Sequence, residues 1–224
     1  MGISNILAFV TALSENNNRE WFAENKAWYE QIKKVFEQVS TEFIARLGHF
    51  DEELRYVQAK DCIFRIYRDT RFSYDKTPYK THLGVFVAAN GGRKSKRSGY
   101  YLHLEPNHCF CASGIWCPPT PLLKALRQSI FDNVDEFLEL VNEPEFHENF
   151  PEFWDYDQLK TAPKGFPKDW EHIQFLKLKH YMVEHRFSNE QATAENFLET
   201  AVAKLELSLP LNRFLNYTAD ETDY

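Results

Sequence analysis

Residues 83–116 read LGVFVAANGGRKSKRSGYYLHLEPNHCFCASGIW, and this stretch contains three short runs with the pattern of β-strands. Strands are predicted at residues 83–89, 100–105 and 109–116. The dipeptides Asn90-Gly91 and Pro106-Asn107 favour turns between the strands. The last two strands are therefore expected to pair as an antiparallel hairpin.

Helical patterns lie on both sides of this segment. Apolar residues at helical spacing predict a helix at 4–14 and a long second helix that is capped by Asn17 and ends at Gly48. Further elements are predicted later in the chain: helices at 122–131, 133–141, 169–177, 188–205 and 210–217, and strands at 62–68 and 179–187. This order predicts an α+β fold with a mainly antiparallel sheet, an N-terminal αα-hairpin and C-terminal helices packed against the sheet. No linker divides the chain, so one domain spanning residues 1–224 is expected.

The composition is that of a globular protein, with 43% hydrophobic and 16% aromatic residues. No apolar run approaches the length of a membrane span, and the N-terminal residues do not resemble a signal peptide. A cytoplasmic location without membrane contact is therefore expected. The four cysteines form no Cys-x-x-Cys pair, so buried, reduced thiols are expected.

The charge distribution is uneven. The net charge is −7, yet residues 60–103 contain ten Lys or Arg against three Asp, a local excess of +7 that leaves −14 on the remainder. The acidic total does not favour nucleic acid as a general partner, because binding to phosphate backbones requires excess basic residues. A basic segment in an acidic chain instead indicates a local site for an anionic small molecule or nucleotide.

The basic segment between Arg65 and His82 combines cations with hydroxyl groups and aromatic rings. Arg holds phosphate or carboxylate through two parallel hydrogen bonds, and tyrosine rings offer stacking platforms. The predicted ligand-binding residues are Arg65, Arg68, Arg71, Lys76, Tyr79, Lys80 and Tyr101. The alternative is a structural network in which Asp69 pairs with Arg71 or Arg68, and Asp75 pairs with Lys76.

Four residues are candidates for acid–base chemistry: His103, Glu105, His82 and Asp69. The first two share a strand face with Tyr101, and they support the alternative function of an enzyme acting on a phosphate ester or similar anion. His82, His103 and His108 make a possible metal set, but no spacing motif supports it, so no metal ligand is predicted. The chain has no Walker loop and no G-x-G-x-x-G or H-E-x-x-H pattern, and it indicates no cofactor.

Several of these stretches together resemble a group of conserved hypothetical proteins, domain-of-unknown-function family 2461. The similarity is carried by residues 17–22 (NNREWF), 65–73 (RIYRDTRFS), 75–81 (DKTPYKT), 100–106 (YYLHLEP) and 163–166 (PKGF). It covers nearly the whole chain and implies a single α+β domain. The resemblance implies no activity, substrate or cofactor, so binding protein and enzyme both stay open.

Overall fold

A four-stranded antiparallel sheet with helices at both ends of the chain forms the fold in the computed structural model, which describes residues 2–222. The α+β class predicted from the sequence is confirmed. The strands are β1 (Leu83–Val87), β2 (Gly99–Leu104), β3 (Cys109–Ile115) and β4 (Tyr181–Phe187), in the order β1-β2-β3-β4. The helices are α1 (Ile3–Glu15), α2 (Arg19–Glu24), α3 (Lys26–Leu47), α4 (Ala59–Cys62), α5 (Thr120–Asp132), α6 (Val134–Val141), α7 (Pro144–Asn149), α8 (Ile173–Lys177), α9 (Asn189–Thr193), α10 (Phe197–Glu206) and α11 (Leu209–Glu221).

The turns around the central strands have the backbone conformations that their residue types favour. Asn107, between β2 and β3, has φ +63°, and Asn90 and Gly91, after β1, have φ +57° and +130°. Asparagine and glycine tolerate this left-handed region better than other residues. The predicted β2–β3 hairpin is therefore confirmed.

The strand predicted immediately before the basic segment does not form. Phe64 N–H donates to the Gly84 carbonyl at 3.0 Å, and Lys80 N–H donates to the Ile66 carbonyl at 2.8 Å. Between these two bonds the first segment has one residue, Arg65, and the second segment has three, residues 81–83. The extra residues interrupt the ladder and leave only isolated bridges, so the prediction of a regular strand is wrong.

The predicted long second helix is divided at Asn25 into α2 and α3. Its cap is also one residue later than predicted, because the Asn18 side chain accepts from Trp21 N–H at 2.8 Å. Asn17 instead bonds the backbone of Tyr79, donating to its carbonyl at 2.9 Å and accepting from its N–H at 3.1 Å. Adjacent asparagines thus have different roles, one local and one between distant segments.

Toward the C-terminus all the predicted helices are present, and α5 and α11 extend beyond their predicted bounds, whereas two others are shorter or divided. Ser188 and Gln191 form the predicted capping box of α9, but α9 ends at Thr193 and α10 begins at Phe197. Helix α8 covers only the last part of the predicted 169–177 helix. Among residues 2–222, no helix is long and apolar enough to cross a membrane.

The chain divides into two compact units: Met1–Lys94 with Tyr101–Cys111 and Arg186–Ala203, and Ser95–Tyr100 with Ala112–His185 and Lys204–Tyr224. The single domain therefore stays a prediction. In the first unit, α1 packs on α3 and α3 packs on β1, which buries Phe9, Phe36 and Phe43. In the second, α5, α6 and α11 surround a core that includes Leu126, Phe137 and Leu215. All four cysteines are free, and only Cys117 is exposed.

Candidate functional site

A group of polar side chains lies on one face of the sheet in the first unit. Tyr101, His103 and Glu105 project to the same side of β2 and its C-terminal continuation, as the two-residue period of a strand predicts. The Tyr101 hydroxyl is 2.8 Å from His103 Nδ1, and His103 Nε2 is 3.1 Å from Glu105 Oε2. The ring of His82 lies 4.3 Å from that of His103, measured between centroids. These four residues are called the histidine–glutamate cluster below.

Glu105 is the charged centre of the cluster. Its Oε1 accepts a hydrogen bond from the Thr81 hydroxyl at 2.7 Å, and its Oε2 lies 3.3 Å from His108 Nδ1. Burial acts to raise the pKa of this carboxyl, but the hydrogen bonds from His103 and Thr81 outweigh burial and lower the pKa to about 2. Glu105 is therefore an ionised acceptor whose orientation is fixed by several donors.

Tyr101 occupies space that only a glycine on the adjacent strand leaves open. A Cβ atom at Gly84 would lie 2.4 Å from the Tyr101 hydroxyl oxygen and 2.9 Å from one of its ring carbons. Burial raises the pKa of Tyr101, so this hydroxyl keeps its proton. On the other side, the Phe110 ring stacks on His103 with centroids 4.5 Å apart. Packing from β1 and β3 thus holds the β2 side chains in position.

His82 differs from its neighbours because neither of its ring nitrogens has a hydrogen-bond partner among residues 2–222. It is partly buried beside His103. Burial, followed by the charge of His103, lowers the pKa of His82 to about 4. At neutral pH the imidazole is therefore uncharged, and it carries an unshared electron pair.

Lys80 borders this cluster, and the charge of the exposed Arg65 acts on Lys80 and on the Asp69 carboxylate. The Lys80 ammonium lies 5.1 Å from the centroid of the Phe64 ring. Burial, and then the positive charge of Arg65, lower the pKa of Lys80, and the charge of Lys80 in turn acts on His82. Within the described part of the chain, neither cation forms an ion pair with a carboxylate.

The remaining cations of the basic segment are engaged within their own loop, residues 68–78. The loop is closed by a bond from Arg68 N–H to the Pro78 carbonyl at 2.9 Å. The Arg68 guanidinium donates to the Asp75 carboxylate and to the Thr77 hydroxyl. Asp75 also accepts from Thr77 N–H at 2.9 Å, and this bond, followed by that from Arg68, lowers the pKa of Asp75 to about 2. Asp75 thus pairs with Arg68. The structural alternative had predicted Lys76 as its partner, and that part of it is wrong.

At the tip of this loop, Arg71 and Asp69 form a second pair. Arg71 donates from Nε at 2.9 Å and from Nη2 at 2.6 Å to the two carboxylate oxygens. This pairing lowers the pKa of Asp69 to about 2. Lys76 donates to the Thr70 carbonyl at 2.9 Å. Asp69, a predicted acid–base candidate, therefore lies in the loop pair, and no hydrogen bond joins it to His82 or His103 in the described residues.

Tyr79, predicted as a ligand platform, lies in the packed base of the loop. Its ring stacks on Phe22 of α2 with centroids 4.0 Å apart and an interplanar angle of 14°, and it is only 6% exposed. Asn17 holds its backbone, as described above. Through these contacts, residues 17–22 anchor the end of the segment 75–81.

Sequence reasoning did not identify Thr81, Gly84 or Phe110 as parts of the site. Gly84 lies in β1, Thr81 lies in the segment before β1, and Phe110 lies in β3. Their proximity to β2 depends on strand pairing, which a single sequence does not reveal. Gly84, a glycine inside a predicted strand, was the one available signal, since such a glycine often marks close approach of another group.

A second polar group and a cleft lie in the second unit. His180 Nε2 is 3.0 Å from Asp157 Oδ1, and His180 Nδ1 accepts from Cys117 N–H at 3.0 Å. The cleft has a volume of about 290 Å³ and includes Phe146 and Phe175 in its walls. Its walls contain no member of the histidine–glutamate cluster.

The comparisons with known proteins are consistent with the resemblance noted in the sequence. No curated protein and no solved structure matches the chain. One family, described as conserved hypothetical protein (DUF2461), matches residues 5–214, which include the basic loop and every member of the cluster. The chain therefore belongs to the DUF2461 family of conserved hypothetical proteins.

Proposed function

We propose that the protein binds an anionic small molecule, such as a phosphorylated metabolite or a nucleotide, through Lys80 and Arg65 beside the histidine–glutamate cluster. The observation that carries the proposal is that neither the partly buried Lys80 nor the exposed Arg65, whose charge acts on Lys80, forms an ion pair with a carboxylate among the described residues. Every other predicted ligand cation is engaged inside its own loop.

Keeping Lys80 charged in this position costs free energy. Lys80 is partly buried, and the charge of Arg65 opposes its ionisation. The Phe64 ring compensates only in part, because a cation–π contact contributes about 0.5–2 kcal/mol. A phosphate placed between the two cations would turn their repulsion into attraction, and Arg65 is suited to hold two of its oxygens.

A binding function agrees with the geometry better than an arginine-assisted enzyme does. The enzyme alternative requires His82 or His103 within hydrogen-bonding range of Arg65 or Arg71, and no such bond is present in residues 2–222. A small anion is favoured over nucleic acid because the net charge is −7 and most loop cations are internally paired.

The proposal is tested by thermal unfolding of the full chain with phosphate, pyrophosphate, AMP and ATP, with sodium chloride added to keep ionic strength constant. A ligand at a hundred times its Kd stabilises the folded state by about 2.7 kcal/mol, which raises the Tm measurably. An unchanged Tm with all four anions would overturn the proposal.

Matched variants locate the site. Lys80→Gln and Arg65→Gln each remove one positive charge, as does the control Lys76→Gln in the loop. We expect the first two to weaken anion binding at least tenfold and the control to bind like the wild type. Equal losses in all three variants would indicate nonspecific attraction to the basic segment and would contradict the assignment.

A further inference from the structure

The strongest unassigned feature is a set of metal-ligating atoms within the histidine–glutamate cluster. His82, His103 and Glu105 each offer one ligand atom, and these atoms lie within 4.8 Å of one another. We propose that these three residues bind a divalent transition-metal ion of the Zn²⁺ type. The inference does not rest on the anion site, because none of its ligands is one of the two cations.

The donor set matches the chemistry of such an ion. Two imidazoles and one carboxylate are ligands that Zn²⁺ accepts, and three protein ligands leave one coordination position open. With metal–ligand bonds of 2.0–2.1 Å, neighbouring ligand atoms of a tetrahedral site lie about 3.3 Å apart. His103 Nε2 and Glu105 Oε2, at 3.1 Å, are already close to this separation. The ligand atoms lie within 4.8 Å of one another, so His82 completes the set through a contraction of at most about 1.5 Å.

The groups behind these ligands have the arrangement that metal sites require. The Tyr101 hydroxyl at His103 Nδ1 orients the ring so that Nε2 faces Glu105. The Thr81 hydroxyl binds Oε1 of Glu105 and leaves Oε2 turned toward the histidine. Outer partners of this kind fix the orientation of ligating side chains, and their loss commonly weakens metal binding 10- to 100-fold.

His82 supplies the argument against a purely structural hydrogen-bond network. His103 and Glu105 satisfy each other, but His82 is partly buried beside them with no hydrogen bond of its own in the described chain. Neither ring nitrogen of His82 is among the fully buried side-chain atoms that lack a partner in residues 2–222, so its free electron pair is accessible to an incoming ion. A metal ion would give the ring nitrogen its missing partner and would bridge it to the other two ligands.

The direct test uses the full-length chain, stripped of metal with a chelator and studied in a buffer free of phosphate. Zn²⁺ is added and binding is measured by competition with a chromogenic chelator, and Co²⁺ is added separately to record its visible absorption. We expect one ion per chain, a rise in Tm on binding, and a Co²⁺ spectrum typical of mixed nitrogen and oxygen ligands. Absence of stoichiometric binding would overturn the proposal irrespective of any result on anions.

Three variants assign the ligands. His82→Gln removes a ligand without breaking any hydrogen bond described here, so the metal-free protein should unfold at the wild-type temperature. Glu105→Gln removes the carboxylate charge, and His49→Gln alters an exposed histidine as a control. We expect at least a tenfold loss of Zn²⁺ affinity in the first two and no loss in the control.

A His82→Gln protein that folds and binds Zn²⁺ as tightly as the wild type would overturn the assignment. If Glu105→Gln fails to fold, the decision rests on His82→Gln and on NMR of the wild type. In that measurement the ring protons of His82 and His103 should shift together on adding Zn²⁺, whereas those of His49 should not. A shift confined to other histidines would contradict the site.

Discussion

The basic loop and the histidine–glutamate cluster, both in the first unit, differ in how far their polar groups are paired. The loop, residues 68–78, is highly charged and exposed, and Phe72 at its tip is 96% accessible to solvent. Its arginines are paired with its own aspartates. The cluster carries few charges and is partly buried, yet His82 forms no hydrogen bond within residues 2–222, and neither Lys80 nor Arg65 forms an ion pair in the described chain. A high density of charge in the sequence therefore does not by itself indicate a binding site, because the charges can form ion pairs with one another.

The two regions also differ in how much their polar contacts contribute to the free energy of unfolding. Exposed ion pairs contribute about 0–1 kcal/mol each, since water and salt compete for both partners. Hydrogen bonds to a partly buried charged group contribute about 1.5–3 kcal/mol, and leaving a buried group unsatisfied is costly. Substitutions in the cluster should therefore affect the free energy of unfolding more than substitutions at the loop tip.

The largest effect is expected for Gly84→Ala. The new methyl group would meet the Tyr101 ring, as the distances of 2.4 and 2.9 Å show, and would push the hydroxyl away from His103. Overpacking of this kind costs about 1–3 kcal/mol of unfolding free energy, measured by urea denaturation. In a Tyr101→Ala background the same glycine substitution should cost much less. An equal cost in both backgrounds would show that Tyr101 is not the group that requires the glycine.

A smaller effect is expected for Arg68→Ala, and a still smaller one for Arg71→Ala. The Arg68 side chain is 26% exposed and bonds both Asp75 and Thr77, whereas that of Arg71 is 77% exposed and bonds only Asp69. We expect a loss of about 1–2 kcal/mol for the first and a smaller loss for the second, because water and salt compete for both exposed partners. Urea denaturation measures both variants in the same buffer. A larger loss for Arg71→Ala would reverse the interpretation of which arginine supports the loop.

The smallest effect concerns the acid titration of the loop. The pKa values of Asp69 and Asp75 are lowered to about 2 in the folded state from an ordinary value of 3.8. The stability they contribute is therefore fully present above pH 4 and is lost as the pH falls through the folded pKa values. Carboxyl ¹³C NMR should show both groups titrating near pH 2 at low salt, with Arg71→Gln raising the pKa of Asp69 alone. Titration of both aspartates near pH 4 in the wild type would contradict the paired loop.

Predictions from sequence succeeded where the physical cause is local. The shared face of Tyr101, His103 and Glu105 follows from strand geometry alone, and the Asn107 turn follows from the preference of asparagine for a left-handed backbone. Predictions failed where the conformation of one segment depends on its pairing with another. The strand predicted before the basic segment is interrupted because Arg65 faces three residues instead of one, a mismatch that only the pairing of two segments creates.

The sequence by itself determined the α+β class, the β2–β3 hairpin, and the residue types of the basic loop and of the β2 face. Only the tertiary structure decided that Arg68 and Arg71 pair within the loop, that Asn17 anchors Tyr79, and that His82 reaches His103 and Glu105. The physical reason is that backbone preferences act between neighbours in the chain. Contacts across strands depend instead on register, which the buried faces of the whole sheet select together.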